Sequence, residues 1–154
     1  MEMIYGNKLK VLRERTGFTQ EKLGEYIGVT KQAFNHFENE YTIIPIKHLN
    51  DICNYFDVSL DYIFNLTEIK KYDNYSKVIH TDLMVKRLKE FRKENKLSQE
   101  KLATILNVAK GTIGNYESNR GIIATPFLYT ICKKYNISAD YLLGKIDSPK
   151  YLNK

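Results

Sequence analysis

The chain has 154 residues, of which 43% are hydrophobic and 27% charged. This length holds one average domain or two of the smallest that fold alone, which excludes a large enzyme. The longest mostly apolar stretch, 121–132, is too short for a membrane helix, and the first residues lack a secretory signal, so we expect a cytoplasmic protein without membrane contact. The net charge of +6 favours a polyanionic partner.

In the first half of the chain, apolar residues recur at the spacing of amphipathic helices. They predict five short helices, at about 4–16, 19–27, 30–38, 46–56 and 59–66. Thr19, Thr30 and Ser59 precede three of these helices and are suited to cap them, because a hydroxyl group can accept a backbone N–H hydrogen bond. No segment alternates apolar and polar residues for long enough to predict a strand.

The second half of the chain repeats the first. Residues 83–145 align with 4–66 at an offset of 79 without a gap, and 18 of the 63 aligned pairs are identical. The five helices are therefore expected again, with Ser98 and Ser138 as caps. We call residues 1–66 the first unit and 83–145 the second unit. The predicted fold is all-α, with two tandem five-helix domains.

Two segments lie outside these units. Residues 67–82 are polar and weakly periodic, which indicates a linker, and Thr81 or Asp82 is expected to cap the helix that follows. Residues 146–154 form a tail that we expect to be frayed.

The most distinctive segment of each unit is a pair of short helices joined by a three-residue turn, at 19–38 and 98–117. Gly28 and Asn107 occupy the turns, where the backbone needs a positive φ that Gly and Asn accept most readily. The inner positions of both helices are apolar, while the outer positions of the second helix are polar or small. This pattern indicates a helix-turn-helix motif.

Both units resemble the XRE family of lambda-repressor-like, Cro-type helix-turn-helix regulators over nearly their full length. The first unit carries the resemblance in the runs Leu9-Lys10-Val11-Leu12-Arg13, Thr19-Gln20-Glu21-Lys22-Leu23, Ile27-Gly28-Val29-Thr30, Phe37-Glu38-Asn39 and Val58-Ser59-Leu60-Asp61-Tyr62. The second unit carries it in the runs at 88–92, 97–102, 115–120 and 137–144. The resemblance implies a sequence-specific regulator of transcription that binds double-stranded DNA, most often as a repressor, without a cofactor or catalytic residues.

The resemblance also implies which side chains contact DNA. Gln20 and Gln99 would touch a phosphate and brace the recognition helix, which is the second helix of each motif. The positions that match base readers of the family are Lys31, Gln32, Ala33 and His36 in the first unit and Lys110, Gly111, Thr112 and Asn115 in the second. Asn35 is a further outward residue of the first recognition helix and is also expected to contact DNA. The residues expected to contact the DNA backbone after these helices are Asn39, Asn119 and Arg120. The family also implies internal ion pairs, Arg13 with Glu38 and Arg92 with Glu117.

The first unit departs from the family pattern after its recognition helix. Glu40 stands where a glycine is usual, and we expect it to strain the backbone and to bring a negative charge to the phosphates. Tyr41 stands where the second unit has Arg120. Residues 1–66 contain 7 basic and 9 acidic residues, whereas 83–154 contain 14 and 6. An alternative function therefore stays open, in which the first unit binds a protein partner or dimerises, as in an antitoxin-type module, and only the second unit binds DNA.

The remaining expectations concern assembly, the second recognition helix and the cysteines. A flexible linker would let one chain occupy two operator half-sites, whereas a rigid helical linker would favour a homodimer.

Gly111 and Gly114 should each weaken the second recognition helix by ~1 kcal/mol relative to Ala, and they remove side chains that could read bases. Cys53 and Cys132 are expected to be buried thiols, and no Cys or His pair has the spacing of metal ligands.

Overall fold

The computed structural model describes residues 3–152, so that residues 1–2 of the predicted first unit and 153–154 of the predicted tail lie outside the described part. The first unit contains α1 (Gly6–Arg15), α2 (Gln20–Ile27), α3 (Lys31–Glu38), α4 (Ile46–Phe56) and α5 (Leu60–Ile63). The second unit contains α6 (Thr81–Glu94), α7 (Gln99–Leu106), α8 (Lys110–Glu117), α9 (Thr125–Tyr135) and α10 (Ala139–Leu142). The prediction of an all-α fold with five helices in each unit is confirmed. None of these helices is long and apolar enough to span a membrane, within the residues described.

The predicted helix starts are confirmed by hydrogen bonds. The hydroxyl oxygens of Thr19, Thr30, Ser59, Ser98 and Ser138 each accept a bond from a backbone N–H group three residues later, at 3.0–3.1 Å. The turns of the two helix-turn-helix motifs also follow the prediction, with a φ of 81° at Gly28 and 56° at Asn107. Local side-chain chemistry therefore fixes where these helices begin and how the motif turns.

Each helix-turn-helix motif is held on its unit by buried apolar side chains. In the first unit Leu23 of α2 and Phe34 of α3 are at most 1% exposed, and in the second unit Leu102 and Ile113 are at most 3% exposed. The inner positions thus form the core, and the opposite faces of α3 and α8 are left to solvent.

The linker lies against both units along most of its length. Its backbone binds the first unit where Ser59 N donates to Lys70 O at 2.6 Å, and the second unit where Ser76 N donates to Lys145 O at 2.7 Å. The expected cap by Thr81 or Asp82 is wrong. Helix α6 already begins at Thr81, with His80 at the N-cap position and no side-chain capping bond there.

The tail is ordered through residue 152, so the expectation of a frayed tail is wrong for the described residues. Ser138 N donates to Lys150 O and Leu152 N donates to Asn136 O, both at 2.8 Å. Ile146 and Leu152 are buried. The tail packs on the second unit much as the start of the linker packs on the first, because Ser138 is the repeat equivalent of Ser59.

The two units pack against each other through α5 and α10. Asp61 Oδ1 accepts a hydrogen bond from Ala139 N at 2.7 Å, while the Asp140 carboxylate accepts bonds from Leu60 N at 3.1 Å and Asp61 N at 2.8 Å. Asp61 is the repeat equivalent of Asp140, and Leu60 of Ala139, so each unit caps the short helix of the other in the same way. The pair of equivalent bonds, Ala139 N to Asp61 and Leu60 N to Asp140, is of the reciprocal kind found in isologous interfaces.

Candidate nucleic-acid interface

An ion pair joins the first helix of each unit to its recognition helix. Arg13 binds Glu38 through two parallel hydrogen bonds of 2.8 and 2.9 Å, and Arg92 binds Glu117 in the same way at 2.7 and 3.0 Å. Both glutamates are at most 5% exposed. The hydrogen bonds to these carboxylates raise the pKa of both guanidinium groups, so both arginines stay charged. The internal ion pairs that the family resemblance implied are confirmed.

Gln20 and Gln99 connect the first helix of each motif to the recognition helix. The Gln20 amide nitrogen donates to Glu38 Oε1 at 3.1 Å, and that of Gln99 donates to Glu117 Oε1 at 3.2 Å. In the first unit, Asn35 Nδ2 also donates to Gln20 Oε1 at 3.1 Å. The bracing contact expected of both glutamines is present, and their contact with a phosphate stays a prediction.

The outer positions of the recognition helices are accessible to a ligand. Among the recognition-helix residues expected to contact DNA, Lys31, Gln32, Lys110, Gly111 and Asn115 are exposed, while Ala33, Asn35, His36 and Thr112 are half-buried. These residues therefore lie together on the solvent side of α3 and α8. Their individual contacts with DNA stay predictions.

The loop after each recognition helix is also exposed. Asn39 Nδ2 donates to Asn35 O at 2.9 Å, which tightens the end of α3. Asn119 has a φ of 60° and lies near Asp82, with 3.5 Å between the amide nitrogen and the carboxylate. Arg120 is exposed beside it, as a phosphate contact requires.

Glu40 corrects the sequence interpretation of the first unit. Its φ of 57° is in the left-handed region, as expected, but its carboxylate folds back onto α1. It accepts hydrogen bonds from the backbone N–H groups of Ile4, Tyr5 and Gly6 at 2.8–3.1 Å. The negative charge thus neutralises the amino end of a helix, where anions are favoured, and does not stand free to repel a phosphate.

Sequence reasoning missed this cap, although one signal pointed to it. Tyr5 stands at the N-cap of α1 and makes no side-chain capping bond, so the first N–H groups of this helix needed an acceptor from elsewhere. The close approach also requires Gly6, because a Cβ atom there would lie 2.1 Å from Glu38 O.

The cysteines and the polar clusters give no sign of redox or metal chemistry among residues 3–152. Cys53 and Cys132 are free and fully buried, which confirms the prediction of buried thiols. Burial raises the pKa of the Cys53 thiol to about 12. Within the same residues, no group of three or more His, Cys, Asp or Glu side chains is arranged to hold a metal ion.

Family models match both units. A model described as a helix-turn-helix matches residues 9–63, and one described as a helix-turn-helix domain matches residues 85–148. The uncharacterized HTH-type transcriptional regulator YgzD of Bacillus subtilis is 39% identical over 62 residues, which are 40% of this chain and 94% of that protein. The chain belongs to the XRE family of helix-turn-helix transcriptional regulators. Both units are helix-turn-helix domains of this family.

Other XRE-family relatives match over parts of their own length. The uncharacterized HTH-type transcriptional regulator YobD of B. subtilis is 36% identical over 63 residues, which are 41% of this chain and 56% of that protein. The antitoxin PezA of Streptococcus pneumoniae is 28% identical over 60 residues, which are 39% of this chain and 38% of that protein. The chain thus spans about half the length of YobD and 38% of the length of PezA. No solved structure matches this XRE-family chain.

Proposed function

We propose that this protein is a sequence-specific repressor in which one chain binds both half-sites of an operator as a single-chain pseudo-dimer. The observation that carries the proposal is the reciprocal capping of α5 and α10 by Asp140 and Asp61. A two-fold relation at this interface would place α3 of the first unit and α8 of the second in equivalent positions. Operators of helix-turn-helix dimers have a matching two-fold arrangement, with half-sites about 34 Å apart.

The chemistry of the exposed residues supports recognition of DNA by both units. Lys31 and Lys110 can bond guanine O6 or N7, Gln32 and Asn115 can bond adenine N6 and N7, and the methyl group of Ala33 or Thr112 can meet the thymine methyl. Gln20, Gln99, Asn39, Asn119 and Arg120 are the groups we assign to the DNA backbone. Repression then follows from occupancy, because a bound chain blocks polymerase from an overlapping promoter.

The ordered linker supports a single chain in preference to a homodimer. The α5 and α10 surfaces of one chain already cover each other, so a second chain would have to replace an intact interface. The linker is bound to both units and is not helical between residues 67 and 80. It therefore does not hold the units apart.

Stoichiometry on DNA tests the proposal. An operator selected from random duplex DNA should bind one chain per two half-sites in sedimentation, and the affinity should fall with salt at a log–log slope of about −0.9 per phosphate neutralised. Two chains on one operator would reject the pseudo-dimer. Binding that does not depend on salt would reject the phosphate contacts.

The alternative of a protein-binding first unit has two observations in its favour. The first unit is acidic, with 7 basic and 9 acidic residues, and the chain resembles the antitoxin PezA. A double variant, Lys31→Ala with Gln32→Ala, separates the two functions. It should weaken operator binding on our proposal and leave it unchanged if only the second unit binds DNA. The exposed pair Glu21→Ala with Glu25→Ala on α2 is a control for surface substitution in the same unit.

A further inference from the structure

The recognition helices of the two units differ most where they face DNA. Gln32 of α3 is replaced by Gly111 of α8. Asn35 is replaced by Gly114, one turn further along. Helix α8 therefore lacks two outer side chains that α3 has, although each helix is held on its own unit by an equivalent buried ion pair.

The difference extends to how firmly each helix is held. Asn35 binds Gln20, which in turn binds Glu38. Gly114 has no side chain that could reach Gln99 in this way. At the amino end, Thr30 caps α3 by accepting a bond from Ala33 N, whereas the N-cap residue of α8 is Ala109, without a side-chain bond. Glycine also lowers helix stability, so α8 presents a less rigid as well as a barer surface.

We propose that Gly111 and Gly114 make this protein read its operator asymmetrically. The half-site under α3 is read through more base contacts, and the half-site under α8, where Lys110, Thr112 and Asn115 remain, depends more on contacts with its phosphates. This inference rests on the proposed function, in which both units of one chain bind the same operator. The second unit is suited to backbone contact because residues 83–154 contain 14 basic and 6 acidic residues and because Arg120 is exposed after α8.

Packing does not explain the two glycines. A Cβ atom built at Gly111 or at Gly114 meets no other atom within 4 Å, and neither residue has a positive φ. Both positions can therefore carry a side chain without displacing a neighbour. Their effect on the molecule is to remove two outer side chains from α8, which keeps Lys110, Thr112 and Asn115.

Selection from random duplex DNA by the full chain tests this asymmetry. We expect a stronger base preference in one half of the selected operator than in the other, while hydroxyl-radical footprinting shows two protected patches about one helical turn apart. Two patches with a palindromic base preference would overturn the asymmetry and leave the proposed function intact. A single protected patch would overturn the proposed binding of one operator by both units.

Exchange of the outer residues assigns the effect to these positions. In the double variant Gly111→Gln with Gly114→Asn, the second half-site should gain base preference, so that the selected operator approaches a palindrome. The double variant Gly111→Ala with Gly114→Ala is the matched control, because it strengthens the helix without adding hydrogen-bonding groups. It should leave the operator asymmetric. If the Gln and Asn variant leaves the operator unchanged, or if the Ala variant also makes it palindromic, the assignment to these missing side chains is wrong.

The reverse change should remove reading by the first unit. In the double variant Gln32→Ala with Asn35→Ala, which removes both side chains without the loss of helix stability that glycine would bring, we expect a loss on the order of tenfold in preference for the selected operator over random duplex, as loss of a bidentate base contact predicts. Binding to random duplex should change much less. An equal loss on both duplexes would show that α3 does not read bases and would overturn the inference.

Discussion

Glu40 has a strained backbone conformation, and its side chain makes strong hydrogen bonds to a segment that is distant in sequence. A residue other than glycine in the left-handed region costs roughly 1–2 kcal/mol, and Glu40 has a φ of 57°. Its carboxylate offsets this cost by accepting bonds from three N–H groups of residues 4–6. A hydrogen bond to a charged group contributes about 1.5–3 kcal/mol, so the contacts outweigh the strain.

We therefore expect the replacement Glu40→Gly to destabilise the protein, although glycine is the residue best suited to this φ. The loss should be about 1–3 kcal/mol in the free energy of unfolding, because three N–H groups lose their acceptor. Urea denaturation measures it. Asn119→Gly is the matched control, since Asn119 has nearly the same φ of 60° but a single 3.5 Å contact with Asp82. This control should be neutral or slightly stabilising, and an equal loss in both variants would contradict the capping role.

At the scale of elements, the sequence predicts what depends on nearby residues. At the helix starts Thr19, Thr30 and Ser59, the hydroxyl oxygen accepts a bond from a backbone N–H group only three residues later. The turn at Gly28 depends on that residue alone. For this reason these helix starts and this turn are predictable from the sequence, whereas the start of α6, which has no side-chain cap, is not. The exposed face of each recognition helix followed from the same periodicity, with individual roles taken from the family resemblance.

Segments whose contacts are distant in sequence could not be predicted in this way. The linker is bound through Lys145, 69 residues after Ser76, and Glu40 reaches back 36 residues to Ile4. Neither contact leaves a periodic pattern. The bond between Asn35 and Gln20 was missed for a related reason, because an outward polar residue looks the same whether it is free or bound to a neighbour.

The start of α8 gives a prediction for a whole element. Ala109 occupies the N-cap position without a side-chain bond, where α3 has Thr30. We expect Ala109→Thr to stabilise the protein by about 0.5–2 kcal/mol, because a hydroxyl can bind the N–H group that Thr30 binds in α3. Thr30→Ala should cost a similar amount, and the two variants together measure the cap in both units by urea denaturation. If a threonine stabilises the protein at neither position, the N-caps of α3 and α8 do not act in the equivalent way that we predict.

The whole molecule depends on an interface with two buried acids. Asp61 is 0% exposed and Asp140 is 2% exposed. Besides Ala139 N, Asp61 accepts hydrogen bonds from the hydroxyl groups of Ser138 and Tyr72. Tyr72 belongs to the linker, so the linker, α5 and α10 meet at one carboxyl group. The association of the two units is therefore coupled to the protonation of that group.

Burial and the neighbouring charge of Asp140 hold the pKa of Asp61 well above its usual value, against the opposing hydrogen bonds from Ser138 and Tyr72. In the unfolded chain the same carboxyl group loses its proton near pH 4. Between these two pKa values the folded protein holds a proton that the unfolded chain has released. Stability is then greatest below the unfolded pKa and is lost as the pH rises through the folded pKa.

We expect Asp61→Asn to flatten this dependence, because asparagine keeps an oxygen acceptor for Ala139 N and cannot ionise. Urea denaturation across a pH series should show the free energy of unfolding of the wild type falling above pH 4 more steeply than that of the variant. Asp57→Asn is the control, because Asp57 is exposed and the hydrogen bond from Lys71 lowers its pKa. Removal of this carboxylate should therefore not flatten the decrease in the free energy of unfolding with rising pH. A slope in Asp61→Asn equal to that of the wild type would show that the buried proton resides elsewhere. A flatter slope would locate this pH dependence at the Asp61 carboxyl group, where the two units and the linker meet.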